Sequence, residues 1–144
     1  MPASCERAFD LVHDYKQRLT WDTLLREAYV EGEGPPGKDV ITVCSGKWLV
    51  GGISLRTTYV SFQRGKVAAV KMINTPPFFA KWAASIRHEP LGPNRSRIIY
   101  TWNFHAKPRA LAWLFEPVMA AFFRWETRKR LRALSAKLAK ASAH

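Results

Sequence analysis

His88 closes the stretch NTPPFFAKWAASIRH, residues 74–88, and is the best lone candidate for chemistry in the chain. An imidazole titrates near neutrality, so it can act as a general acid or base, or bind a ligand carbonyl. A histidine at a strand end also serves commonly as a hydrogen-bonded structural residue. His13 stands near Asp10 and Asp14, but no third ligand follows at a recognisable spacing, so no metal site is expected. Glu116, beside Pro117, is a carboxylate near the inner side of a helix, with either chemical potential or an arginine partner. No nucleophile motif, phosphate loop or pair of carboxylates is visible, so neither a catalytic residue nor a cofactor is assigned. Cys5 and Cys44 do not make a disulfide framework and read as reduced thiols of a cytoplasmic protein.

The totals bound the setting for these groups. A length of 144 residues predicts one domain over 1–144, large enough to bury a real core. A hydrophobic content of 47% argues for a folded globular chain. No apolar run approaches the roughly 20 residues that span a bilayer. The N-terminus, MPASCERAFDLVHDY, carries early acids and no apolar core, unlike a signal peptide. The formal charge of +12 is unevenly spread: residues 1–39 hold eight acids and five bases, residues 40–144 three acids and eighteen bases. Such an excess suits an anionic membrane surface, an acidic partner or simple solubility. A nucleic-acid footprint is not expected, because most aromatics fall on faces read as inward.

The elements that must position the candidates follow from periodicity. Ser4 caps a helix with Glu6 in its first turn and an apolar stripe of Ala8, Phe9, Val12 and Tyr15. A second helical turn is predicted over Lys16–Leu19, then a strand in TLLREAYVEG. EGEGPPGKD is a loop, and VITVCSGKWLVGG is a strand with a bulge or two short strands. A hairpin joins Arg56–Gln63 to Lys66–Ile73 through Arg64-Gly65. Pro76 and Pro77 stop that strand, and the opening stretch supplies the next. EPLGPN turns the chain into RSRIIYTWNFHA, where Ile98, Tyr100, Trp102 and Phe104 alternate with mostly polar residues, the mark of a half-buried antiparallel strand. From Lys107 onward a long helix is predicted, kinked or restarted at Pro117. Met119, Phe123, Leu131, Leu134 and Leu138 form its apolar side, with Arg124, Arg128 and Arg132 opposite.

A long amphipathic helix after a run of antiparallel strands must bury its stripe, and the concave face of a curved sheet offers the place. In this order of elements the chain resembles the START/Bet v 1-like helix-grip superfamily, which includes polyketide cyclases. The likeness rests on ERAFDLVHDYKQRLTWDTLLREA (6–28), GKWLVGG, TTYVSF and ETRKRLRALSAKL (126–138), and covers nearly the whole chain. It implies an α+β helix-grip fold: a curved antiparallel sheet around the C-terminal helix, with a short N-terminal helical pair. The superfamily usually begins with a strand; here only Met1 to Ala3 precede the first helix, so that strand is expected to be short or absent. An edge left that way invites pairing with another chain, which makes a homodimer conceivable.

The resemblance also implies an internal cavity for an apolar ligand. On one face of the 74–88 stretch stand Phe78, Trp82, Ile86 and His88, and the alanines between them, Ala80 and Ala84, either leave volume or let a helix approach. Tyr100, Trp102 and Phe104 face the same space from the last strand, Met72 with Val70 and Ala68 from the strand before, and Phe115, Met119 and Phe123 from the helix. Mostly apolar walls with a few polar groups describe a small-molecule pocket. Three functions are compatible: carriage of a hydrophobic small molecule or lipid, cyclase or aromatase chemistry with Tyr100 and His88 polarising a carbonyl, or docking of a basic surface on an anionic membrane.

Overall fold

In the computed structural model, which describes residues 1–48 and 51–143, the N-terminal segment folds as its capping chemistry dictates. Ser4 adopts an extended backbone, and its Oγ accepts the Arg7 N–H at 3.3 Å, opening helix α1 (Cys5–His13). Its inner face buries Ala8, Phe9 and Val12. The second turn lies slightly later than expected, as a 3-10 turn over Arg18–Thr20.

Six strands follow: β1 (Leu25–Val30), β2 (Ile41–Gly46), β3 (Ser54–Gln63), β4 (Val67–Met72), β5 (Phe79–Gly92) and β6 (Arg95–Ala106). They form one curved antiparallel sheet in chain order. β2 ends at Gly46, and among the described residues the rest of VITVCSGKWLVGG is a connection to β3 rather than a second strand; Leu49 and Val50 of that stretch lie outside the described residues. Gly52 in this connection has φ +61, and a side chain there would meet the Trp48 ring at 2.8 Å. Only glycine satisfies both demands. β5 runs into the expected EPLGPN turn as far as Gly92, because a bulge between Pro90 and Gly92 lets proline sit in the strand.

A second bulge, between Phe79 and Lys81, changes the opening of β5. It turns Phe79 inward, leaving Phe78 exposed at φ +68 and Ala80 exposed. The regular alternation expected from Phe78 onward therefore begins only at Trp82. From there Trp82, Ala84 and Ile86 pair with Phe104, Trp102 and Tyr100 on the concave face.

A 3-10 turn (Arg109–Leu111) precedes helix α2 (Ala112–Ser142), which starts later than Lys107 and runs unbroken through Pro117. Proline removes one bond, to the carbonyl of Trp113, and that residue faces solvent, where water can replace the donor. At about 1.5 Å per residue, the 31 residues of α2 make a rod of about 46 Å. Its C-terminal half completes the core. Leu134 and Leu138 pack with Ala8, Val12 and Trp21, and Leu131, Ile86 and Ile98 pad the cluster. Arg124, Arg128 and Arg132 are exposed, as the stripe requires.

Among the described residues no strand precedes α1. The first residue lies against the edge of β6 instead: the Met1 amine donates to the Ser96 carbonyl at 2.7 Å, and the Ser96 N–H donates to the Met1 carbonyl at 3.1 Å. No described helix is long and apolar enough to cross a membrane.

Candidate functional site

The concave face and the N-terminal half of α2 meet at Phe123, which packs on Phe79, Trp102 and Phe104, and elsewhere stand apart. Between them lies a cavity of about 810 Å³. The pleat explains its walls. Successive inward residues of β4 and β5 are Ala68, Val70, Ala84 and Ile86, and the pairs Ala68–Ile86 and Val70–Ala84 set two alanines across from larger neighbours. Trp82, Tyr100 and Trp102 continue the wall, and Phe115, Met119 and Phe123 face it from α2. Seven of the ten residues singled out in the sequence thus line one space.

The other three do not. Phe104 packs against Phe79, Trp102 and Phe123, at centroid distances of 6.0, 5.9 and 5.5 Å, and lies off the cavity wall. Met72 sits at the end of β4, beyond the lining. His88 is buried next to Phe9, 5.3 Å between centroids, with no hydrogen-bond partner on either ring nitrogen. Burial lowers its pKa to about 4, so the ring is neutral at pH 7. It is therefore not assembled with Tyr100 on the cavity wall, and it lacks the hydrogen bond expected of a structural strand-end histidine. Glu116 also lies off the wall; it accepts the Ala106 N–H and an Arg109 Nη1–H, both at 3.0 Å. The Ala106 bond and Arg109 together lower its pKa.

Polar groups that the sequence reading did not bring together stand on the wall instead. His13 Nδ1 shares a 2.7 Å hydrogen bond with the Tyr59 hydroxyl, which meets the Tyr15 hydroxyl at 2.8 Å. Burial, then the charge of Arg18, lowers His13 to about 3, and burial raises both tyrosines. This relay is neutral across the physiological range.

Arg18 and Arg130 complete the polar end. Asp22 is 2% exposed and holds both: Arg18 Nε donates to Oδ2 at 2.8 Å, and Arg130 donates to both oxygens at 2.9 and 2.7 Å. Burial penalises the Asp22 charge, but the two guanidiniums outweigh it and hold the carboxyl at about 2. One sequence signal pointed here. Residues 119, 123, 127, 130 and 134 share a helical face, which places Arg130 on the apolar stripe rather than among the solvated arginines.

The exposed lining residues mark the opening. Gly51, Phe78, Leu114, Val118 and Phe122 belong to the β2–β3 connection, the β4–β5 connection and the N-terminal half of α2. Cys5 and Cys44 are free thiols, both raised in pKa by burial, and only Cys44 reaches the cavity. Among the described residues no group of three His, Cys, Asp or Glu side chains is placed to hold a metal ion.

A curved sheet gripping a long helix over an apolar cavity defines a helix-grip protein of the START/Bet v 1 type. The chain belongs to the family described as polyketide cyclase/dehydrase and lipid transport, whose model matches residues 1–139. A START superfamily protein from Mycobacterium smegmatis superposes with a TM-score of 0.77 at 12% identity, covering 98% of this chain and 93% of its own. The Zhui aromatase/cyclase from Streptomyces sp. R1128 gives 0.77 at 12% identity, with coverages of 96% and 88%. A protein from Thermus thermophilus gives 0.81 at 12% identity, with coverages of 99% and 94%. At such identities the likeness establishes the fold. Comparison with curated proteins gives no match.

Proposed function

We propose that the protein binds and carries a hydrophobic small molecule or lipid in the cavity between the sheet and α2. The observation that carries this reading is the cavity itself: about 810 Å³ walled mainly by aliphatic and aromatic side chains. Well-packed interiors leave few voids larger than a water molecule, so this volume is not a packing fault. The two alanines and the ring-rich opposite wall suit a flat or flexible apolar body. The cyclase alternative would need a group to polarise a carbonyl; Tyr100 remains available for it on the wall, and the His13–Tyr59–Tyr15 relay replaces His88 as the polar partner.

Trp82 and Trp102 line the cavity and report its occupation. Titration with a fatty acid or a flat aromatic is expected to change tryptophan emission and raise the melting temperature. A ligand at one hundred times its Kd adds about 2.7 kcal/mol of stability. Ala84→Trp is expected to fill the space and abolish binding while the protein stays folded. Unchanged emission and melting across apolar probes would remove the reading. Mass spectrometry of molecules that copurify with the protein then names the ligand class.

A second reading, docking on an anionic bilayer, is favoured by exposed apolar side chains of α2 and the β2–β3 connection. Trp48 (77% exposed), Trp113 (74%), Val118 (70%) and Trp125 (60%) project outward. Arg26 lies over the Trp48 ring at 4.6 Å and Lys129 over the Trp125 ring at 4.9 Å. Amphipathic rings beside cations suit the headgroup region of a negatively charged membrane. Cosedimentation with phosphatidylserine-containing vesicles, lost in high salt and in Trp113→Ser/Trp125→Ser, is the expected result. Equal absence from anionic and neutral vesicles at low salt would sink it.

A further inference from the structure

The polar end of the cavity carries more positive charge than the protein neutralises. Arg18 and Arg130 are both buried, with side chains 8% and 14% exposed, and share one carboxylate. Asp22 has no acceptor capacity left for a further cation, since it also receives the Leu24 N–H at 3.2 Å. The two acids on α2 pair elsewhere, Glu126 with Lys129 at 3.4 Å and Glu116 with Arg109 at 3.0 Å, and neither is on the cavity wall. Of the wall's titratable groups, His13, Tyr15, Tyr59 and Cys44 are neutral at pH 7 because burial disfavours their charged forms. A buried charge without a counter-ion is costly, and it is retained where a partner arrives.

The donors are also incompletely used. Arg18 spends Nε on Asp22 and Nη1 on the Val12 carbonyl at 2.6 Å. Arg130 spends Nε and Nη2 on Asp22. Arg18 Nη2 and Arg130 Nη1 have no protein acceptor among the described residues, and both side chains line the cavity. The Arg18 guanidinium is held in place by the Trp21 ring at 4.9 Å and the Tyr15 ring at 5.9 Å. Each guanidinium thus keeps one nitrogen that can donate a charge-assisted hydrogen bond to a ligand oxygen. A void of about 20 Å³ lined by the same two arginines has room for one water. A water satisfies a donor but leaves the charge uncompensated.

We propose that Arg18 and Arg130 form an anion site inside the cavity, so that the ligand class is an apolar body ending in a carboxylate, its acid group at the arginine pair and its body along Trp82, Trp102 and Phe123. This rests on the reading that the cavity binds a ligand. The ion cluster then goes from two cations and one anion to two of each.

The test is a matched pair of probes, dodecanoate and dodecanol at pH 7, titrated into the full chain by tryptophan emission and calorimetry. The wild-type protein is expected to prefer dodecanoate by about tenfold or more, the low end of what a hydrogen bond to a charged group contributes. Arg130→Gln keeps the Arg18–Asp22 pair and is expected to weaken dodecanoate far more than dodecanol, so that the preference is lost. The wild-type ratio decides the question even if that variant does not fold. Equal affinities for the two probes overturn the anion site and leave the cavity reading standing. Binding of neither probe overturns both.

Discussion

The two halves of α2 share one helix and serve opposite ends. Beyond Arg130 the helix is clamped: Leu134 is fully buried, Leu138 nearly so, and both touch α1 or its following turn. Before Arg130 the helix touches the sheet at Phe123, lines a void with Phe115 and Met119, and turns Trp113 and Trp125 outward. What separates the halves is what lies opposite them. Across from the C-terminal half stand Val12 and Trp21, delivered by α1 and the turn after it. Across from the N-terminal half the rings of Phe79, Trp102 and Phe104 meet Phe123, and beyond them the alanines of β4 and β5 leave space. Stability is thus concentrated where α1 meets α2, and the other half is free to surround a ligand.

The largest effect should come from the residue that joins the two regions. Asp22→Ala leaves two buried guanidiniums without their carboxylate, and about 3–5 kcal/mol of stability should be lost. Urea unfolding measures it; a loss below about 1 kcal/mol would mean that the cluster is solvated and the halves are not divided there. Next comes Leu134→Ala, expected to cost about 2–5 kcal/mol at a site with no room to relax. A value in the surface range, under about half a kcal/mol, would place the clamp elsewhere.

Acid should act on the same side of the molecule. His13 and His88 titrate in the folded protein at about 3 and about 4, against about 6.5 unfolded. The unfolded chain therefore binds more protons, and stability present above pH 6.5 is lost as pH falls towards 4. Each histidine contributes about 1.4 kcal/mol per pH unit across that window. Asp22, lowered to about 2, adds its own loss below about pH 4. Replacing His88 by Phe should flatten the profile between pH 6 and 4.5; an unchanged slope would show that His88 is hydrated. The smallest effect belongs to the open half: Trp113→Ser should change stability by no more than about 0.5 kcal/mol. A larger loss would mean that the outer face of α2 is part of the fold.

These regions were not equally legible in the chain. The strict alternation of Ile98 to Phe104 and the cap at Ser4 carry their own geometry, so β6 and α1 follow from local chemistry. The apolar wall followed too, because Trp82, Ile86, Tyr100 and Trp102 sit on strands of period two. The bulge at Ala80 did not, since a run of alternating large and small residues has no feature that marks an inserted residue. The arginine site was hidden for a different reason. Asp22 and Arg130 lie 108 residues apart, and nothing local to either announces the other. His88 is expected on the cavity wall, but it is buried instead against Phe9, which arrives from α1 and leaves no local signal in the strand.

The strand order has a kinetic consequence. Because β1 to β6 are neighbours in the sheet in the order of synthesis, each pairing closes only a short loop, and the sheet can grow hairpin by hairpin. The closures that span the whole chain are few and lie together: Arg7 Nη2 to the Ala141 carbonyl at 2.7 Å, the Ser142 hydroxyl to the Pro2 carbonyl at 3.3 Å, and Asp22 to Arg130. These are the most expensive loops to close, so the docking of α2 on α1 is expected to follow the rate-limiting barrier. Leu134→Ala should then act almost entirely by speeding unfolding, with the refolding arm of the chevron little changed. A refolding rate that falls in proportion to the lost stability would place the clamp in the nucleus instead.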